Sequence, residues 1–172
     1  MYKSATNSTY LVDVKTIRVN IYDPQTDIWT VGATPPFKLH HFQAIEYYGL
    51  LLIAGSMTGN YPAEPSVDRI MIYDPLSDTF LNGPNIPRDR VRGGAGCVLY
   101  DGDIYIVSGT TSGHQDGGHQ PWFDQYNPET NTWTRLPDAP RARDHFHVAV
   151  VDGKLYALAG RRSGEGGQVF NS

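Results

Sequence analysis

Apolar residues in this chain come in short runs, with Leu50–Ala54, Ile104–Val107 and Leu155–Ala159 among them. Runs of that length, bounded by turn residues, predict β-strands rather than helices. The turns are of two kinds. Tyr48-Gly49, Asp101-Gly102 and Asp152-Gly153 each lie between two apolar runs and predict tight hairpins that accept positive φ. Asp23-Pro24, Asp74-Pro75 and Asn127-Pro128 each open another short turn. There Pro presets φ, and the Asp or Asn side chain can bond nearby amides.

Both signatures recur with one period. Tyr22, Tyr73 and Tyr126 stand 51 and 53 residues apart, and Gly49, Gly102 and Gly153 stand 53 and 51 apart. Two interleaved landmarks sharing a period of about 50 predict a stack of equivalent four-stranded units. With strands A to D running outward from a central channel, one unit places A near Phe42–Glu46, B near Leu50–Ala54, C near Arg69–Tyr73 and D near Thr79–Asn82. The next places them near Gly94–Leu99, Ile104–Ser108, Trp122–Tyr126 and Thr132–Leu136. Before these lie a C and a D, near Thr16–Tyr22 and Ile28–Val31. After them lie an A and a B, near His145–Val151 and Leu155–Ala159.

The pattern Tyr-Asp-Pro-x-Thr-x-x-Trp, the Gly turn, the strand ending in a small residue and Gly, and Arg88 and Arg141 after Pro87 and Pro140 resemble the kelch family over nearly the whole chain. The doublet is Ala-Gly or Ser-Gly here where the family has Gly-Gly. The slightly long repeats are similar to bacterial kelch and galactose-oxidase-like propellers. The resemblance implies an all-β, kelch-type β-propeller of four-stranded antiparallel blades. The expected segments are a half blade (C and D) over 1–36, blades over 37–87 and 88–140, and a half blade (A and B) over 141–172. About three repeats form an incomplete propeller, to be completed by further blades or by a second copy of the chain. Tyr22, Tyr73, Tyr126, Trp29, Phe80, Trp133, Gly55, Gly109 and Gly160 are expected to be structural, the aromatics packing blade on blade.

Composition narrows the function. A net charge of −4 without a basic run gives no case for nucleic acid. The longest apolar run is too short to span a bilayer, and residues 1–6 lack an apolar signal core, so the sequence leaves the compartment open. The lone Cys97 forms no internal disulfide and suits a small core position.

Antiparallel connection puts the short A–B and C–D turns on one face and the long B–C and D–A loops on the other. Long loops on a rigid scaffold are where sites usually sit. The loop face is expected to collect all six histidines, His40, His41, His114, His119, His145 and His147. It also takes Lys38, Arg88, Arg90, Arg92, Arg141, Arg143, Arg161 and Arg162, while Asp23, Asp27, Asp74, Asp78, Asp101, Asp103, Glu129 and Asp152 gather on the opposite face. Such a surface attracts anions, and Arg grips carboxylate or sulfate bidentately. The expected ligand-binding residues are Arg90, Arg92, His114, His119, Arg143, Asp144, His145 and Arg162. A role for Arg88 and Arg141 in capping carbonyls between blades stands beside that reading.

No spacing is diagnostic of a metal or cofactor, and none is assigned. His114, Asp116 and His119 suit a transition metal by chemistry but lie in a Gly-rich loop. Resemblance to galactose-oxidase-like enzymes implies a copper site, whose ligands cannot be placed on this sequence. Resemblance to a sialic-acid mutarotase implies charged groups around the channel, for which Arg90, Arg143, Asp144, His145 and Glu165 are available. The preferred reading is a binding module for a protein partner or an anionic glycan. A carbohydrate-active enzyme and an inactive propeller fragment remain the alternatives.

Overall fold

The structure is a computed structural model and describes residues 9–13 and 18–162. The described residues form four antiparallel sheets and one 3₁₀ turn, Arg88–Arg90. The first sheet holds β1 (Thr9–Asp13), β2 (Arg18–Asp23) and β3 (Ile28–Val31). The second runs in order through β4 (Gln43–Tyr47), β5 (Leu50–Ala54), β6 (Arg69–Asp74) and β7 (Thr79–Asn85). The third is β8 (Gly96–Tyr100), β9 (Asp103–Val107), β10 (Phe123–Asn127) and β11 (Thr132–Leu136). The last pairs β12 (His147–Val151) with β13 (Lys154–Leu158). The first sheet therefore has three strands, one more than the sequence predicts. No Gly turn joins β1 to β2, so the repeat signature did not mark β1.

The turns account for the repeat. Tyr47 pairs with Leu50, Tyr100 with Asp103 and Val151 with Lys154, leaving two-residue loops. Both residues of each loop have positive φ, for example Asp101 at 50° and Gly102 at 82°. That is the turn whose twist matches the strands it joins. In the outer hairpins, Asp74 accepts from the Leu76 amide at 2.9 Å and the Ser77 hydroxyl at 2.7 Å. These bonds favour the ionised form and hold the Asp74 carboxyl below its ordinary range. The tyrosine of each unit stacks on the aromatic facing it, with Tyr22–Trp29, Tyr73–Phe80 and Tyr126–Trp133 centroids at 5.0, 5.0 and 4.8 Å. Each tyrosine hydroxyl donates to the residue that closes the turn, Asp27, Asp78 or Asn131.

Adjacent blades share cores. Ile45, Leu52, Ala54 and Ile70 of the second sheet pack on Ala95, Cys97, Ile104, Ile106 and Tyr126 of the third. Val107 of the third packs on Phe146 and Val148 beside the fourth. Each fully buried aliphatic side chain is worth about 1.5–3 kcal/mol. Gly55 is required by the close approach of the second and third blades: a Cβ there would lie 2.6 Å from the Ala95 Cβ.

The innermost strands, β4, β8 and β12, lie side by side. One side chain ties all three together. Gln43 accepts from the Cys97 amide at 3.3 Å and the Val148 amide at 3.0 Å, and donates to the Val148 carbonyl at 2.8 Å. Trp29 departs from expectation. It stacks on Tyr22 but is 53% exposed, and Ile28 and Val31 beside it are also exposed. Phe80 and Trp133 are partly buried against core clusters.

Candidate functional site

The A strands begin one or two residues later than the sequence predicts. The chain first makes a single bridge at His40, Gly93 or Asp144. The next residue, His41, Gly94 or His145, then takes a left-handed φ of 53°, 63° or 52°. Only after that kink does the strand proper start. His41 and His145 are therefore equivalent positions two repeats apart. Each precedes its turn glycine, Gly49 or Gly153, by 8 residues. A non-glycine residue in this region is strained, and two histidines share the strain here. The kink also separates His145 from His147, which is exposed on β12, so His145 lies outside the strand that the sequence predicts from it.

His41 and His145 converge with His114, which the loop between β9 and β10 brings in. Ring centroids lie 4.9 Å apart for His41–His114, 4.5 Å for His41–His145 and 5.0 Å for His114–His145. His114 Nε2 and His145 Nε2 face each other at 3.3 Å. On the far side of each ring stands a carboxylate: Glu64 bonds His114 Nδ1, and Asp144 Oδ2 lies 3.2 Å from His145 Nδ1. Both acids are buried. His40 Nδ1 meets His41 Nδ1 at 2.6 Å. Burial, then the charges of His145, His40 and His114, push the His41 imidazole down to about 4, so it is neutral at physiological pH. Arg161 Nη2 reaches within 3.4 Å of His145 Nε2 from the exposed side.

Other residues expected at the site are placed elsewhere. Arg90 and Arg92 are 7% and 1% exposed, in the blade rather than on the loop surface. Arg90 Nε lies 3.0 Å and Arg92 Nη1 2.8 Å from the buried Asp124 carboxylate. Arg92 also donates to the carbonyls of Ser108, Arg90 and Ile106, and Arg90 stacks on Trp122 at 4.7 Å. The desolvation of Arg92 outweighs the pull of Asp124 and lowers its guanidinium to about 10. Arg92 thus caps carbonyls of its own blade, and so does Arg143, which donates to the Ala159 carbonyl at 2.8 Å. The side chains of Arg88 and Arg141 are exposed. His119 is buried, its Nε2 3.8 Å from Asp144 Oδ2. It does not join His114, and Asp116 is exposed. Arg162 is half-buried. Glu165 lies outside the described residues.

A cavity of about 690 Å³ opens between Pro36, Phe37, Thr58, Asp68, Met71 and Phe80. It shares no lining residue with the histidine cluster. Among the described residues, no helix is long and apolar enough to cross a membrane.

A family model described as the kelch motif matches residues 92–140. The chain belongs to the kelch-repeat family. It is 31% identical over 150 residues to a kelch-like protein, terF, of Aspergillus terreus, covering 85% of this chain and 33% of that one. It is also 31% identical to human kelch-like protein 34, covering 86% of this chain and 22% of the relative. Zebrafish (Danio rerio) kelch-like ECH-associated protein 1A matches at 31% identity over 60% of this chain and 17% of its own length. The chain thus spans a third or less of these relatives. The solved structure of YjhT superposes with a TM-score of 0.69 at 12% identity, over 89% of this chain and 54% of that one. That likeness supports the propeller fold alone.

Proposed function

We propose that this kelch segment is a binding module whose loop face receives an acidic stretch of a protein partner. The observation that carries the reading is the exposure of Arg88, Arg141 and Arg161 in connections that antiparallel topology sends to one face. Exposed guanidinium groups on a rigid scaffold recognise carboxylates bidentately. Kelch-like ECH-associated protein 1A is named for an association, which supports a binding role. A labelled acidic peptide titrated into the full chain tests the proposal by anisotropy. Binding should weaken with salt and with Arg88→Ala/Arg141→Ala. Equal affinity in both conditions overturns it, and preference for a sulfated or sialylated oligosaccharide over the peptide shifts the ligand to an anionic glycan.

A further inference from the structure

We propose that His41, His114 and His145 form a three-imidazole site for a borderline divalent metal ion of the zinc type, built where three blades meet. One nitrogen of each ring lies within 4.8 Å of the others. The separation of His114 Nε2 from His145 Nε2, 3.3 Å, is the ligand–ligand distance of a tetrahedral ion whose metal–nitrogen bonds are about 2.0–2.1 Å.

The outer carboxylates strengthen the case. Glu64 bonds His114 Nδ1, which turns that ring's Nε2 lone pair inward, and the Asp144 carboxylate stands 3.2 Å from His145 Nδ1 on the far side of its ring. Carboxylate–histidine pairs of this kind orient metal ligands and raise their basicity. A metal ion seated between the two Nε2 atoms would take a lone pair from each ring. The backbone points the same way. His41 and His145 hold left-handed φ values at a position where the intervening repeat has Gly94. Strain of that kind persists where side-chain placement is used. Imidazole donors suit zinc, copper, nickel and cobalt, and three protein ligands leave a coordination position open to water or an anion. Arg161, exposed and 3.4 Å from His145 Nε2, must swing aside to admit the ion.

The test uses the full chain, stripped with chelator and titrated with Zn²⁺ against a chromophoric competitor, and separately with Co²⁺ under visible absorption. One equivalent should bind, with the intense ligand-field bands of tetrahedral cobalt. His145→Gly and His114→Ala should abolish those bands. Glu64→Gln should weaken zinc by about 10–100-fold. Arg161→Ala should tighten it, by removing a competing cation. His147→Ala, an exposed histidine outside the cluster, should leave it unchanged. Circular dichroism checks each variant. His145→Gly keeps the test decisive if His114→Ala or Glu64→Gln misfolds, because Gly is already found at the equivalent position. Failure of the wild type to compete for zinc overturns the proposal. So does retention of the cobalt bands in His145→Gly, or their loss in His147→Ala.

Discussion

Asp124→Asn removes a carboxylate that two buried guanidinium groups share while leaving the volume nearly unchanged. Asp124 is 2% exposed, with Arg90 at 3.0 Å and Arg92 at 2.8 Å. At an effective dielectric of about 20, each pair attracts by about 5 kcal/mol, most of it offset by desolvation. Taking away one partner forfeits the attraction and keeps the desolvation, so the expected loss is about 3–5 kcal/mol. The cluster carries two cations and one anion, which makes the effect asymmetric. Arg90→Met leaves a neutral Asp124–Arg92 pair and should cost about 1–2 kcal/mol, chiefly lost hydrogen bonds. Added to Asp124→Asn it should restore part of the stability, because it removes one of two orphaned charges. Equilibrium urea unfolding of the two single variants and the double variant measures the coupling. A loss under about 1 kcal/mol for Asp124→Asn, or strict additivity in the double variant, would refute the reasoning.

The aromatic pairs should diverge: Trp133→Ala should cost about 2–3 kcal/mol and the exposed Trp29→Ala under about 1 kcal/mol, compared by denaturant midpoint. The Cys97 thiol is fully buried and burial pushes it up to about 12. Ellman's reagent at mildly alkaline pH should therefore label it only as the chain unfolds, and fast labelling of the native protein would count against the packing described. Gln43→Leu strands the Cys97 and Val148 amides and should cost about 2–3 kcal/mol, read by thermal unfolding. The chain exposes Ile28, Trp29 and Val31 at one end sheet and Tyr156 and Leu158 at the other. Sedimentation should show concentration-dependent association, and a monodisperse monomer at all concentrations would contradict it.

The repeat was legible because turn chemistry is local. Asp-Gly and Asp-Pro dictate backbone angles within a few residues, so strands such as Leu50–Ala54 and Thr132–Leu136 could be bounded from sequence. The histidine cluster was not legible in the same way. His114 enters from a loop whose path no local rule fixes, and Glu64 reaches it from another blade. Half of the signal was nonetheless present: His41 and His145 keep the same distance from their turn glycines as equivalent repeat positions must. Arg90 and Arg92 were misjudged because a buried arginine reads like an exposed one until its partner is known. Asp124 lies 34 residues from Arg90.

The Gln43 clamp joins residues 105 positions apart, and the histidines beside it come from three separate repeats. Neighbouring hairpins can fold as soon as their own residues are available, but this inner seam closes only when nearly the whole described chain is in place. Such long-range closure is slow relative to local pairing. The seam is therefore a checkpoint for assembly rather than a module. No single repeat can be cut out or transplanted with the cluster intact, and inserting or deleting a repeat between His41 and His145 would move its walls apart.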